Sequence, residues 1–164
     1  MTKKTLLDTL KEFTETVTKN VILPCALQED DTEQKFRAAD VYLMRLPDQA
    51  AAKKKVPYII HQLVTAKDQQ PAGETPSSIA VVRTVFVVYG QDEQEGSLAL
   101  LDLMETVRLA LERQIVIGKK YQLDMETGVD QLIYPDDTKP YFIGEMSTTW
   151  KIPAIQREVR AVCL

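Results

Sequence analysis

The sequence is poor in the residues that carry most enzyme and metal chemistry. Among 164 residues it has one histidine and two cysteines. Any mechanism that depends on a histidine base must use His61, which lies inside a predicted strand, where a packed or partner-facing side chain is favoured. A zinc site needs three or four Cys, His or carboxylate ligands at a workable spacing, and the sequence offers none. These shortages favour a protein that is not an enzyme and holds no metal.

Phosphate-binding glycine motifs are also missing, although the chain has six glycines. Neither G-x-x-x-x-G-K-[ST] nor G-x-G-x-x-G occurs, so no nucleotide cofactor is predicted. Cys25 and Cys163 lie near opposite ends of the chain, without the short spacing of a metal or redox motif. We expect both to be reduced thiols, and a disulfide that joins them is the open alternative.

Long apolar runs and excess positive charge are absent too. No run approaches the ~20 apolar residues that a membrane span needs. Lys3 and Lys4 are not followed by the apolar stretch of a signal peptide. We therefore expect no membrane partner and synthesis in the cytoplasm. The formal net charge of −4 opposes general affinity for nucleic acid, which needs a basic surface.

The N-terminal segment is predicted to form an amphipathic helix over about residues 5–19. Thr2 or Thr5 is the predicted N-cap. The apolar side chains that recur at three- and four-residue spacings are Leu6, Leu7, Leu10, Phe13 and Val17. We expect this stripe to pack on its own domain, and packing on a neighbouring subunit is the alternative.

A second, longer helix is predicted over about residues 93–116. It begins at the capping box Asp92-x-x-Glu95 and ends before Gly118, which is expected at C′. Arg108 is at pairing distance from Glu105 and Glu112 on its outer side. The predicted apolar stripe is Leu100, Met104, Val107 and Leu111, widened by Leu101.

Strands fill most of the remaining sequence. Their predicted spans are Val41–Met44, Val56–Ala66, Ile79–Tyr89, Tyr121–Met125, Val129–Tyr134 and Tyr141–Ile152. Ile79–Tyr89 is apolar on both faces, as a central strand is. The polar segment Lys67–Ser78 is expected to be a loop that joins the strands before and after it as an antiparallel pair. Pro135–Pro140 is expected to be the turn that joins the last two strands as a pair. This element order predicts an α+β fold over a single domain, residues 1–164, with a mostly antiparallel or mixed β-sheet and helices packed on one face.

The last predicted strand alternates between an apolar and a mixed face. Phe142, Met146, Thr148, Trp150 and Ile152 point one way, toward a predicted core. The stretch Val129–Pro153 contains the segments Tyr-Pro-Asp-Asp-Thr, Pro-Tyr-Phe, Gly-Glu-Met and Thr-Trp-Lys-Ile-Pro. In these segments it resembles the C-terminal strand pair of tail-terminator (tail-completion) proteins, which are minor tail proteins of tailed bacteriophages and prophages. The resemblance extends back through Tyr58–Leu63 and Asp92–Gly96 and covers roughly residues 40–160. The first forty residues contribute little to it.

This resemblance implies a structural role without catalysis or cofactor. Tail terminators assemble as hexameric rings on the head-proximal end of the tail tube, stop its growth, and present a surface to head-completion (stopper) proteins. By the same resemblance, DNA passes through the ring without specific binding, and the protein is located in the virion, at the tail or neck.

A ring of identical subunits needs a head-to-tail contact that closes on itself. We expect this contact on the mixed face of the last strand and in the Lys67–Ser78 loop. The candidate interface residues are Lys67, Asp68, Gln69, Gln70, Glu74, Glu145, Thr149 and Lys151.

Three other functions are compatible with the sequence. A head–tail connector (neck) protein would have a similar size and ring assembly, but would bind on the portal side. A monomeric ligand-binding domain unrelated to phages would stay monomeric beside tube protein. An enzyme is the third, and activity that survives His61→Ala would remove its histidine-dependent mechanisms.

Overall fold

The fold is α+β, as the sequence predicts, with a mixed seven-stranded sheet that curls into half a barrel. The computed structural model describes residues 1–135 and 139–155. In chain order the elements are α1 (Lys3–Thr18), β1 (Leu23–Pro24), β2 (Phe36–Arg37), β3 (Asp40–Leu43), a 3-10 helix (Gln49–Lys55), β4 (Tyr58–Gln69), β5 (Ser77–Tyr89), α2 (Glu93–Gln114), β6 (Val116–Ile117), β7 (Tyr121–Leu123), β8 (Asp130–Ile133) and β9 (Tyr141–Ile152).

The apolar strand β5 lies at the centre of the sheet. It pairs antiparallel with β4 on one side and with β9 on the other. The strand order is β3-β4-β5-β9-β7-β6, and β8 pairs with β9 next to β7. The pair β3–β4 is parallel, while the other pairs of this sheet are antiparallel. β1 and β2 form a separate two-stranded sheet.

Both helices pack on the same face of the sheet, which confirms the predicted layers. Alternate residues of β5 point into this core, among them Val82 and Phe86, and Trp150 of β9 joins them with no exposed surface. Burying a side chain of this size stabilises the fold by roughly 1.5–3 kcal/mol. The opposite face carries a smaller apolar cluster at one end, formed by Ala26, Val56, Val87 and Tyr89. No helix within residues 1–135 and 139–155 covers the rest of that face, and we call it the helix-free face.

Helix α1 begins two residues earlier than the sequence pattern predicts. Thr2 is its N-cap, and Thr2 and Thr5 form a reciprocal capping box, which satisfies amide groups that the first turn leaves unpaired. Leu6, Leu7 and Leu10 are buried against the sheet. The helix therefore packs on its own chain.

Helix α2 confirms the predicted start but not the predicted end. The carboxylate of Asp92 accepts a hydrogen bond from the amide of Glu95 at 2.8 Å. The helix ends at Gln114, because Ile115 takes a φ of 59° and turns the chain into β6. Gly118, predicted as the C′ residue, instead lies in the turn between β6 and β7 with a φ of 56°. Its conformation favours glycine, but for a hairpin and not for a helix end.

The apolar stripe of α2 also differs in one member. Leu100, Met104, Val107 and Leu111 are buried as predicted, but the stripe is widened by Leu103 and not by Leu101. Leu101 is 40% exposed. On the outer side Arg108 pairs with Glu105 and Glu112, as predicted.

The largest correction concerns the segment predicted as a loop, Lys67–Ser78. Lys67 to Gln69 continue β4, and Ser77 and Ser78 already belong to β5. The connecting turn is therefore only residues 70–76, with Gly73 at a φ of 78°. Asp68 pairs with Ser78 and Gln69 with Ser77, so backbone pairing carries the strands past their apolar part.

Several predictions lie partly or wholly outside the described residues. Asp136 and Asp137 of the predicted turn are among them, as is Cys163. Cys25 forms no disulfide with another residue of the described ranges. No helix in the described ranges is both long and apolar enough to cross a membrane.

Candidate assembly surfaces

The hairpin of β4 and β5 extends past its neighbour β3 as an arm, defined here as residues 64–79. β3 pairs only with Tyr58–His61 of β4. Every residue from Val64 to Gln69 is exposed. In the described part of the chain, no strand pairs with this segment on the side away from β5. The arm therefore presents a free strand edge, which is the kind of surface that accepts another strand.

A β-bulge at the base of the arm determines which side chains of the arm point to the helix side of the sheet and which point to the helix-free face. The register shifts between Leu63 and Thr65. Beyond the shift, Lys67 lies opposite Ile79 on the helix-free face, whereas Asp68 lies opposite Ser78 on the helix side. The predicted interface residues Lys67 and Asp68 thus point to opposite faces of the sheet.

Asp68 is held by two groups of its own chain. The Lys3 ammonium lies 2.6 Å from one carboxylate oxygen, and the Ser78 hydroxyl donates to the other. The hydrogen bond from Lys3, followed by that from Ser78, lowers the pKa of the Asp68 carboxyl. Since the carboxylate is largely exposed, this ion pair contributes little stability. Its effect is positional, because it fixes the arm to the first turn of α1.

The mixed face of β9 divides into two groups. Lys151 flanks Ile79, so it lies on the same face as Lys67 and close to the arm. Its ammonium is 3.8 Å from Asp124, whose pKa is lowered chiefly by a hydrogen bond from the Thr127 hydroxyl. Thr149 is only 7% exposed. It therefore offers almost no surface to a partner, contrary to the prediction.

Glu145 lies toward the other end of β9, beside β8. The Tyr134 hydroxyl donates to its carboxylate at 3.0 Å. Burial, and then the hydrogen bond to Glu145, raises the pKa of the Tyr134 hydroxyl. The predicted interface residues are therefore not one patch. Those of the arm and Lys151 occupy one end of the sheet, and Glu145 lies farther along β9, between β5 and the edge strand β8.

Strand β8 is a second free edge that the sequence did not indicate as an interface. It pairs with β9, and no other described strand pairs with it. All four of its residues are exposed, including Leu132 at 53% and Ile133 at 40%. Apolar side chains on an unprotected edge strand favour pairing with another chain. The strand itself was predicted, but its position at the edge depends on the order of strands in the sheet.

A shallow groove runs along the helix-free face between the two edges. Its walls include Val64 and Val81 on the side of the arm and Leu132 on the side of β8. Arg83 lies at its floor and donates to the side-chain oxygen of Gln62 at 2.9 and 3.0 Å. The groove is open and shallow, which suits a protein surface better than a small ligand.

His61 lies in the core and has no exposed surface. One ring nitrogen is 2.8 Å from the Thr14 hydroxyl of α1, and the other is 2.8 Å from the Thr84 hydroxyl of β5. Burial lowers the pKa of His61 to about 4. The imidazole is therefore neutral at pH 7 and joins α1 to the sheet. Of the two alternatives for this residue, the structure shows the packed one.

No group of three or more His, Cys, Asp or Glu side chains within residues 1–135 and 139–155 is arranged to hold a metal ion.

Comparison with known proteins does not show a family or a function for this chain. No protein-family model matches the sequence, and no curated protein matches it. One solved structure, of a protein without a descriptive name, is similar over 94% of this chain and 95% of its own, with 12% sequence identity and a TM-score of 0.49. A similarity at this level carries no conclusion about function.

Proposed function

We propose that this protein is a structural component of a phage or prophage tail that closes the head-proximal end of the tail tube as a ring. In this role it stops tube growth and forms the surface to which a head-completion protein binds. The proposal rests on the resemblance of residues 40–160 to tail terminators, and the two free strand edges support it.

The position of the two edges carries most of this support. The arm of β4 lies on one side of the sheet, and β8 lies on the other, separated by β5 and β9. A closed ring needs two different, matching surfaces on opposite sides of each subunit. A single free edge would instead favour a two-fold dimer, in which the same surface meets itself.

The proposal predicts binding to tube ends and not to tube walls. Tubes of the cognate tube protein are assembled, a portion is sheared to multiply the ends, and both samples are pelleted with an excess of this chain. Bound chain should rise in proportion to the number of ends, with a plateau of one ring, expected to be six copies, per capped end. Binding that follows total tube mass, or no binding, contradicts the proposal.

The same assay distinguishes two of the three alternatives that the sequence leaves open. A neck protein would bind isolated portal or head-completion rings and leave tube ends empty. A monomeric ligand-binding domain would remain a monomer at high concentration in the presence of tubes.

A further inference from the structure

The direction of the strands restricts how two copies can join. From the arm to the second edge, the path is β4-β5-β9-β8, and each neighbouring pair is antiparallel. Because there are four strands, β4 and β8 run in opposite directions. A rotation that generates a ring preserves strand direction along its axis, so β8 of one copy would meet β4 of the next antiparallel. The junction would then continue the pattern of the subunit's own sheet.

The two edges are also staggered along the strands. Across the strands, Lys67 of β4 lies opposite Ile79 of β5, which in turn lies opposite Lys151 of β9. At the other edge, Asp130 of β8 lies opposite Ser147 of β9. Those two positions of β9 differ by four residues, which is one residue for each of the four strands in a copy. Strands that close into a ring are tilted, and tilt requires such a stagger. A stagger of one residue per strand is also found in eight-stranded barrels with a shear of eight, whose strands tilt by about 36°.

The side chains at this register complement each other. With Asp130 opposite Lys67, Leu132 falls opposite Thr65. All four are exposed, and their partners within each subunit place them on the helix-free face. An opposite-charge pair directly across two strands favours that register, and a leucine beside the threonine methyl covers part of the apolar edge.

The edge beyond the C-terminal end of β9, where β7 and β6 lie, is less suited than β8 to pairing with the arm. There the sheet ends at β6, which has two residues, and Ile117 of β6 is buried in the subunit's own core. β8 has four residues, all exposed, and it is short enough to pair along its whole length with the six-residue free segment Val64–Gln69.

We infer that a second copy of this chain occupies the free edge, with β8 of one copy pairing antiparallel with the arm of β4 in the next and Asp130 lying opposite Lys67. This inference rests on the proposed function for the existence of a ring, and it adds the surface and the register.

Crosslinking tests the register. In a chain with both native cysteines replaced by serine, Lys67→Cys and Asp130→Cys are combined and mildly oxidised. Disulfide-linked ladders that end at the ring size are expected. Directly opposed residues on adjacent strands have Cβ atoms about 4.5–5.5 Å apart, and a small local shift brings them to the separation of about 3.5–4.5 Å found in a disulfide. Lys67→Cys with Lys54→Cys is the matched control and should give no ladder. A ring that forms without crosslinking between positions 67 and 130 overturns the inferred junction and leaves the proposed function standing.

Charge exchange is the second test. Lys67→Asp and Asp130→Lys should each raise the concentration needed for half-assembly at least tenfold, and the double exchange should restore at least half of that loss. Lys54→Asp and Asp30→Lys are matched exposed controls without an expected effect. Single variants that assemble normally, or a double exchange without recovery, contradict the inference.

A chain that stays monomeric with and without tubes contradicts the junction and the proposed function together. Correct crosslinks with uncapped tubes overturn only the function.

Discussion

His61 shows how one buried side chain can join two layers of the fold. Both ring nitrogens bond to threonine hydroxyls, on Thr14 of α1 and Thr84 of β5. No carboxylate takes part in these bonds, so nothing stabilises an imidazolium in this buried position. The sequence placed His61 inside a strand, but it could not show that Thr14 would face it, because that contact depends on how α1 crosses the sheet.

Acidification should therefore destabilise the protein through His61. Its pKa is about 4 in the folded chain and about 6.5 when unfolded. Because the folded pKa is the lower one, protons bind the unfolded chain first, and stability falls as the pH drops from 6.5 toward 4. Between pH 7 and pH 5 the loss from this residue should be about 2 kcal/mol.

Urea unfolding at the two pH values measures this effect. His61→Gln, which keeps polar atoms at the site but cannot titrate, is the control and should lose about 2 kcal/mol less than the wild-type chain over the same pH interval. Equal losses in the two proteins would show that other groups cause the pH dependence.

The ring of Phe142 leaves no room for a side chain at Gly96. A Cβ atom at this position would lie 2.1 Å from Cε2 and 2.6 Å from Cδ2 of that ring. Gly96→Ala gains up to about 1 kcal/mol of helix propensity. Overpacking typically costs about 1–3 kcal/mol, so we expect a net loss of about 1–2 kcal/mol. Thermal unfolding against Gln94→Ala, an exposed neighbour with an expected change within about 0.5 kcal/mol, measures it; a stabilised Gly96→Ala chain would be the opposite result.

At the scale of elements, α2 shows how far periodicity predicts packing. Leu101 is adjacent to the stripe in sequence, but each residue turns a helix by about 100°, so it points well away from Leu100. Leu103 is about 60° from Leu100 in the other direction and reaches the core. The correct residue was thus available from helix geometry, whereas the end at Gln114 was not, because it depends on the conformation of Ile115.

Alanine substitutions on α2 should separate the two leucines. Leu103→Ala removes a side chain with no exposed surface and should cost about 2–5 kcal/mol. Leu101→Ala removes a partly exposed one and should change stability by at most about 1 kcal/mol. Chemical denaturation of the two variants gives both values. Similar losses would mean that Leu101 is buried in the assembled protein, which would make α2 part of an interface.

The arm shows where local sequence is a poor guide to strands. Lys67–Ser78 is polar and contains proline and glycine, which favour a loop. The strands continue into it because the register of the apolar part brings Lys67 opposite Ile79 and Asp68 opposite Ser78. Cross-strand pairing of this kind is a tertiary effect, and single-sequence patterns do not contain it.

For the whole molecule, the sequence predicted the layers, the pairing of β4 with β5 and the pairing of β8 with β9, but not the complete order of strands. The central position of β5 followed from its apolar character on both faces. The pairing of β9 with β5, and the placement of β8 at the edge, are non-local contacts without a local signal. The prediction of interface residues was incomplete for the same reason, since it also depends on the order of strands. Lys67 is retained in the junction proposed here, Thr149 is excluded by burial, and Asp130 and Leu132 were missed.

The central claim is that copies of this chain form a ring that caps a tail tube. Negative-stain microscopy of the cognate tube protein, polymerised with and without this chain, tests it most directly. We predict tubes of restricted length with ring density at one end, and loss of that density with Lys67→Asp. Tubes of unchanged length without added density at either end would contradict the account.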